Sequence, residues 1–167
     1  ERKYINDPFE VSFKREKVTV GSVPYFGLLE NNVGYVKLRS FTRNCSNDLK
    51  NAILKLKEQS ATSLILDLRG NPGGLLNESV KIANFFVNQG EDIVSTKGKI
   101  KSWEKVYTAT SKPIDTEIPL VVLIDQSSAS ASEIVSGSLQ DLDRAVIVGK
   151  RSFGKGLVQQ TRKLSYN

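Results

Sequence analysis

Three short apolar runs constrain the fold of this 167-residue chain most strongly: Ser63-Leu-Ile-Leu-Asp-Leu68, Pro119-Leu-Val-Val-Leu-Ile124 and Ala145-Val-Ile-Val148. Each is nearly continuous in Leu, Ile and Val, and each is followed closely by a break containing glycine or serine. Runs of this kind mark strands buried in a parallel sheet. Amphipathic stretches separate them. Residues 46–59 predict a helix, with Ser46 as its cap and Leu49, Ile53, Leu54 and Leu56 as its apolar face. Residues 75–88 predict a second, with Leu76, Val80, Ala83 and Phe86 at near-helical spacing and Gly90 as its stop. Residues 92–108, centred on Lys97-Gly-Lys99, read as a β-hairpin. Residues 130–140 read as a third helix, and residues 33–38 as a further strand. Two β-α-β units in sequence predict an α/β fold, with a mainly parallel sheet and right-handed crossovers.

Composition narrows the chemistry. With 39% hydrophobic and 25% charged residues the chain is ordinary globular protein, not a disordered one. No apolar run approaches the roughly 20 residues that span a bilayer. Methionine is absent and Glu1 opens a polar stretch. The chain therefore reads as a piece of a longer protein, with residues 1–19 as the exit from a preceding module and residues 20–167 as the core. Short alternating stretches within residues 1–20 (Phe9, Val11, Phe13; Val18, Val20) read as edge strands or as that exit. A single cysteine, Cys45, rules out an internal disulfide. The net charge of +6 raises the question of nucleic acid. Its densest run is Lys97, Lys99, Lys101 and Lys105, and a solvated hairpin face accounts for that better, since charge on an exposed ribbon blunts edge pairing. The most informative count is zero histidines. It excludes a Ser-His-Asp triad, a Cys-His pair and any His-bearing metal site. A hydrolase built from this chain must take its base from Lys, Asp, Glu or a terminus.

Three segments compete for function. Ser127-Ser-Ala-Ser-Ala-Ser-Glu133 follows a buried run and opens a helix, so it can present a hydroxyl beside free helix N–H groups. Its Ser130-Ala-Ser-Glu133 portion also fits a capping box that needs no catalysis. Arg69-Gly-Asn-Pro-Gly-Gly74 can bring backbone close to a ligand, or simply turn the chain from strand to helix. Gly149-Lys-Arg-Ser-Phe-Gly-Lys155-Gly156 matches seven positions of a phosphate-binding loop. It fails at the eighth, where Gly156 replaces the Ser or Thr that would hold magnesium. The following residues 157–164 look like a strand rather than the helix a phosphate loop requires. All three segments follow predicted parallel strands, the edge at which open α/β sheets place ligand sites.

Leu66-Asp-Leu-Arg-Gly-Asn-Pro-Gly-Gly-Leu75, Ser127-Ser-Ala-Ser-Ala-Ser-Glu-Ile134 and Phe153-Gly-Lys-Gly-Leu-Val-Gln159 together resemble the three motifs of the carboxy-terminal processing (tail-specific) serine proteases, peptidase family S41. The resemblance covers roughly residues 10–165. It implies a ClpP/crotonase-like β-β-α superhelix core with a mainly parallel sheet. It implies Ser130 as nucleophile, Lys155 as general base and Gln159 as the residue orienting the lysine. It places the oxyanion amides at Gly74 and Ala131, with Gly73 competing for the first, and substrate contacts at Gly73 and Gly154. No cofactor, metal or nucleic acid is implied. The expected partners are polypeptide substrates, a PDZ domain elsewhere in a longer chain, and a second copy in a homo-oligomer. The expected location is periplasmic or otherwise extracytoplasmic. A lysine acting as base near pH 7 must be held well below its ordinary value of about 10.4. Apolar cover from Phe153, Leu157 and Val158, and an absence of carboxylates nearby, are the expected means.

Overall fold

The computed structural model describes residues 10–16 and 21–159. Its elements run β1 (Tyr25–Leu28), β2 (Val33–Lys37), α1 (Cys45–Glu58), β3 (Ser63–Asp67), α2 (Leu76–Ala83), β4 (Asp92–Thr96), β5 (Lys105–Thr108), β6 (Leu120–Ile124), α3 (Ala131–Asp141) and β7 (Val146–Gly149). Five strands form one sheet in the order β1-β2-β3-β6-β7; β4 and β5 form a separate antiparallel pair. β1 lies antiparallel to β2, and the other neighbours are parallel. Each parallel step is bridged by a segment containing a helix, as the alternation of apolar runs and amphipathic stretches requires.

The register puts Val36, Leu66, Val122 and Ile147 in one row across the sheet. Val36, Leu66 and Val122 are buried, as are Leu64 and Leu120. Their neighbours Ile65, Val121 and Leu123 are only half-buried among the described residues. The apolar runs thus form a sheet with one fully packed face. Leu49, Ile53 and Leu56 of α1, Ile82 and Ala83 of α2, and Val135 and Leu139 of α3 complete the core. Each such side chain contributes about 1.5–3 kcal/mol when fully buried.

The structure departs from the sequence reading in five local ways. Leu54 is exposed: it stands five residues after Leu49, about 140° round the helix from it. Ser46 is not the cap of α1. The helix starts at Cys45 after Asn44, and the Ser46 N–H donates to Glu78 Oε2 at 2.9 Å. α2 ends at Ala83, because Phe85 and Phe86 continue with tighter i→i+3 bonds that turn Phe86 into the core. The basic run is not a strand face: Lys97 and Lys99 lie in the β4–β5 connection, Lys101 begins a short 3₁₀ turn and Lys105 opens β5. Val11 and Phe13 lie outside any strand, and the readings at Phe9, Val18, Val20 and residues 160–164 fall outside the described residues.

Candidate active site

The carboxyl ends of β3, β6 and β7 carry the three segments that the sequence singles out. After β3, Asp67 anchors the first turn. Its buried carboxylate accepts from Arg69 N at 2.8 Å, Arg69 Nε at 3.0 Å and Arg69 Nη2 at 2.8 Å, and from the Tyr35 hydroxyl. Burial opposes that charge, but the bonds from Arg69 and Tyr35 and the nearby Lys37 ammonium outweigh it and hold the carboxyl well below the usual range. Asn71, also buried, is the next fixed point. Its Nδ2 donates to the Leu38 carbonyl at 2.9 Å, and its Oδ1 accepts from Gly73 N at 2.9 Å. Gly73 (φ +98°) and Gly74 (φ +149°) follow. A Cβ at Gly73 would lie 2.5 Å from the Ala129 carbonyl oxygen and 2.9 Å from Ser130 Cβ. Only glycine therefore lets the first turn press against the second.

The second turn is stitched to the first. Asp125 Oδ1 accepts from Gly70 N at 3.0 Å and Ser127 N at 2.9 Å. Ser128 Oγ donates to the Leu68 carbonyl at 2.8 Å, Ser132 Oγ to the Asn71 carbonyl at 2.9 Å, and Ala129 N to the same carbonyl at 3.1 Å. These bonds separate serines that look alike in sequence. Ser128 and Ser132 are fully buried and spend their hydroxyls on the turn. Ser130 lies between them, half-exposed, with φ 56° and ψ −112° at the start of α3. A non-glycine residue in this region costs of order 1–3 kcal/mol, and such strain gathers where a side chain must be presented. Ser130 and Glu133 also form the capping-box pair, with Ser130 N donating to Glu133 Oε2 at 2.8 Å.

Glu133 does more than cap. Its Oε1 accepts from Ser152 Oγ at 2.8 Å and Gly154 N at 2.6 Å, and its Oε2 accepts from Lys155 N at 3.0 Å. Burial opposes the charge, while Ser152 and the N–H groups of Gly154, Ser130 and Lys155 favour it; the net effect holds the carboxyl below its ordinary value. One carboxylate thus ties the lysine loop to the Ser130 turn, and the Phe153 N–H adds a bond to the Ser128 carbonyl at 3.0 Å.

Gly73, Gly74, Ser130, Ala131, Lys155 and Gln159 line one cavity of about 670 Å³, walled by Leu75, Leu76, Val94 and Ile134. Gly154 is not among its lining residues, and its N–H is committed to Glu133. Among the described residues the N–H groups of Gly74 and Ala131 make no hydrogen bond, whereas that of Gly73 is held by Asn71. Lys155 and Gln159 are exposed, and the Lys155 ammonium makes no hydrogen bond or ion pair with any described residue. The expected apolar cover is not in place: Phe153, Leu157 and Val158 are 67%, 75% and 48% exposed. The expected absence of carboxylates also fails at the backbone, since Glu133 sits on the Lys155 N–H, although it forms no ion pair with the ammonium. Sequence reasoning missed Asn71 as a hub and took Glu133 for a cap alone. Among the described residues no three His, Cys, Asp or Glu side chains converge to hold a metal.

Residues 32–167 match the family described as Peptidase family S41. The chain belongs to that family. A "Probable CtpA-like serine protease" of Staphylococcus epidermidis is 40% identical over 157 residues, which is 93% of this chain and 31% of that protein. A protein of the same description from Staphylococcus aureus is 39% identical over 92% of this chain and 31% of its own length. The chain therefore spans about a third of the curated S41 relatives it matches. Among solved structures, the "photosystem II D1 C-terminal processing protease" superposes with a TM-score of 0.74 at 34% identity, covering 87% of this chain and 40% of that one. The family match, over residues 32–167, spans all three turns that build the cavity.

Proposed function

We propose that this chain is the catalytic core of a serine endopeptidase that cleaves unfolded or extended polypeptides near their C-termini through an acyl-enzyme. The observation that carries the reading is the Ser130 turn. A strained serine opens a helix on the wall of a cavity that it shares with the N–H groups of Gly74 and Ala131, unpaired among the described residues, and with Lys155. In the reaction, neutral Lys155 takes the proton from Ser130 Oγ while that oxygen bonds to the substrate carbonyl carbon. The Gly74 and Ala131 N–H groups stabilise the resulting oxyanion. The C–N bond then breaks, the leaving amine takes the proton back from Lys155, and water hydrolyses the ester to regenerate Ser130. Gln159 orients the lysine amine. Gly73 shapes the turn rather than donating, because its N–H is already used.

The finer fold reading, a ClpP/crotonase-like β-β-α superhelix, is supported by the repeated strand-helix-strand steps that deliver all three turns to one sheet edge. Residues 20–167 are proposed as the protease core and residues 1–19 as the exit from a PDZ-like module. Homo-oligomerisation and an extracytoplasmic location are proposed on the S41 resemblance. An extended substrate fits a cavity bordered by β4, since a strand can add to an exposed edge.

The test is cleavage of casein by the full-length protein that carries this sequence, beside its Ser130→Ala and Lys155→Ala forms. Each substitution is expected to cost on the order of 10²-fold or more in rate while the protein stays folded. An inert parent, or variants that still cut, would overturn the assignment and favour a binding module of the same fold.

A further inference from the structure

The β4–β5 hairpin ends in a tip whose composition the Ser130 site does not explain. The ladder closes at Thr96 and Lys105, so residues 97–104 form the connection. Every residue from Lys97 to Val106 is exposed. Two chemistries share this stretch. Ile100, Trp103 and Val106 present apolar surface to solvent. Lys97, Lys99 and Lys101 stand beside them, and among the described residues none of the three forms an ion pair. Lys105 lies over the Tyr107 ring at 4.6 Å, so its charge is directed along β5. The backbone orders the tip. Trp103 N donates to the Ile100 carbonyl at 3.0 Å and Glu104 N to the Lys101 carbonyl at 3.0 Å, a 3₁₀ turn that holds Ile100 and Trp103 close together. Acidic groups gather at the other end of the hairpin, where Asp92, Glu133 and Asp141 line the recess toward α3.

We propose that this tip docks on an anionic lipid bilayer, with Ile100 and Trp103 seated among the headgroups and Lys97, Lys99 and Lys101 against their phosphates. An indole suits that depth because its ring is apolar and its N–H polar. Lysine stems lie along apolar surface while their ammonium groups reach the charge. Each lysine close to an anionic surface strengthens binding by roughly five-fold. The same surface repels the acidic recess, so the hairpin meets it tip first. A nucleic acid matches the tip less well. The cations of residues 91–109 are all lysines, which meet a phosphate as point charges and not as the two-pronged fork of arginine. Trp103 is the one aromatic residue of the connection, whereas a single strand stacks on successive rings. Ile100 and Val106 gain nothing from a sugar-phosphate chain. The space beneath the tip shares Ser95, Gly156, Leu157 and Val158 with the Ser130 cavity, so a docked hairpin holds that cavity beside the bilayer. The inference stands on the tip and does not require the protease reading.

The experiment uses the full-length protein that carries this sequence, with vesicles of phosphatidylcholine alone or mixed with phosphatidylglycerol. In low salt, co-sedimentation is expected to show binding on the order of 10²-fold tighter to the anionic vesicles, the effect of three lysines. High salt should shrink that preference steeply. Lys97→Gln/Lys99→Gln/Lys101→Gln should abolish most of it. Lys14→Gln/Lys50→Gln/Lys112→Gln removes the same charge from exposed positions elsewhere and should leave most of it in place. The emission of Trp103, isolated as the difference between the parent and Trp103→Phe, should shift to the blue on anionic vesicles and be quenched by brominated lipid chains. That readout involves no lysine variant, so it holds whatever the charge changes do to folding. Equal losses in the two triple variants would make net charge the cause and overturn the proposal. So would Trp103 emission that ignores brominated lipid. A single-stranded oligonucleotide that binds with the same lysine dependence, while vesicles do not, would make the tip a nucleic-acid surface instead.

Discussion

At the scale of single residues, two positions hold the candidate site together. Gly73 combines a positive φ with backbone contacts that leave no room for a Cβ. Gly73→Ala is expected to destabilise the protein by about 3 kcal/mol, from left-handed strain plus displacement of the Ser130 turn. Urea unfolding checks it, and a change below 1 kcal/mol would mean that the two turns separate easily. Glu133 is the second. Its carboxyl is held below an ordinary glutamate value of 4.5, so its grip on the lysine loop is complete above that value and is lost as pH falls through the depressed one. Relative to the intrinsic amide rate at each pH, protection of the Gly154 and Lys155 N–H groups should hold steady at neutral pH and fall only in acid. In Glu133→Gln one amide oxygen replaces two carboxylate oxygens that accept four donors, so those amides should exchange about ten-fold faster than in the parent at neutral pH, the effect of losing one charged hydrogen bond, and the difference should close in acid. Unchanged protection would remove Glu133 from its positioning role.

At the scale of elements, α1 and α2 are joined by a buried acid. Glu78 of α2 accepts from Ser46 N at the start of α1 and from Lys81 Nζ at 2.8 Å, with the Cys45 thiol 3.6 Å away. Burial opposes this charge, but Lys81 and Ser46 outweigh it and hold the carboxyl at about 2; burial first, then Glu78, push the Cys45 thiol up to about 12 and leave it inert. Glu78→Gln should cost about 2 kcal/mol at neutral pH, the size of a charged hydrogen bond lost in a buried place. Because the folded value lies below the ordinary 4.5, the gap between parent and variant is full above 4.5 and closes as pH falls toward 2. Parallel denaturation curves at pH 7 and pH 3 measure it, and a constant gap would exclude the charge as the cause. The same pair shows what sequence could not reveal. Periodicity located α1, α3 and all the parallel strands, because repeat and burial are local properties. Ser46 was misread as a cap because its N–H partner lies 32 residues away, and Leu54 because counting apolar residues ignored its angle round the helix. The three turns were legible as motifs. Which serine was free depended on carbonyls of Leu68 and Asn71, supplied by another turn. The surroundings of Lys155 were not legible either, since flanking apolar residues need not fold over a side chain.

At the scale of the whole molecule, the sheet is strong at its centre and open toward the lysine loop. β3 and β6 each pair with parallel strands on both sides, and Leu64, Leu66, Leu120 and Val122 are buried between them and the helices. β7 pairs with β6 alone among the described residues, and its Val146 and Val148 are 63% and 47% exposed. The segment after it, residues 150–159, contains no helix or strand and is held mainly by Glu133 and the Ser128 carbonyl. Stability in such a structure is graded, and elements with few buried contacts open locally at low free energy. Native-state hydrogen exchange on residues 1–167 should find the slowest amides in β3 and β6, where exchange requires global unfolding. Those of β7 should exchange about 10²-fold faster or more, as expected for local opening roughly 3 kcal/mol below the global value. The Ser130 turn belongs to the slow class through Asn71 and Leu68, and the Lys155 loop, held mainly through Glu133, is less protected than that turn. On the proposed reading, bringing Ser130 and Lys155 together therefore depends on how firmly β7 and the loop are held. If a longer chain containing the following sequence slows exchange at residues 146–155 and leaves β3 unchanged, added structure completes the site. Equal protection of β7 and β3 in the 167-residue chain itself would mean that the edge is already secured and that Lys155 needs no further support.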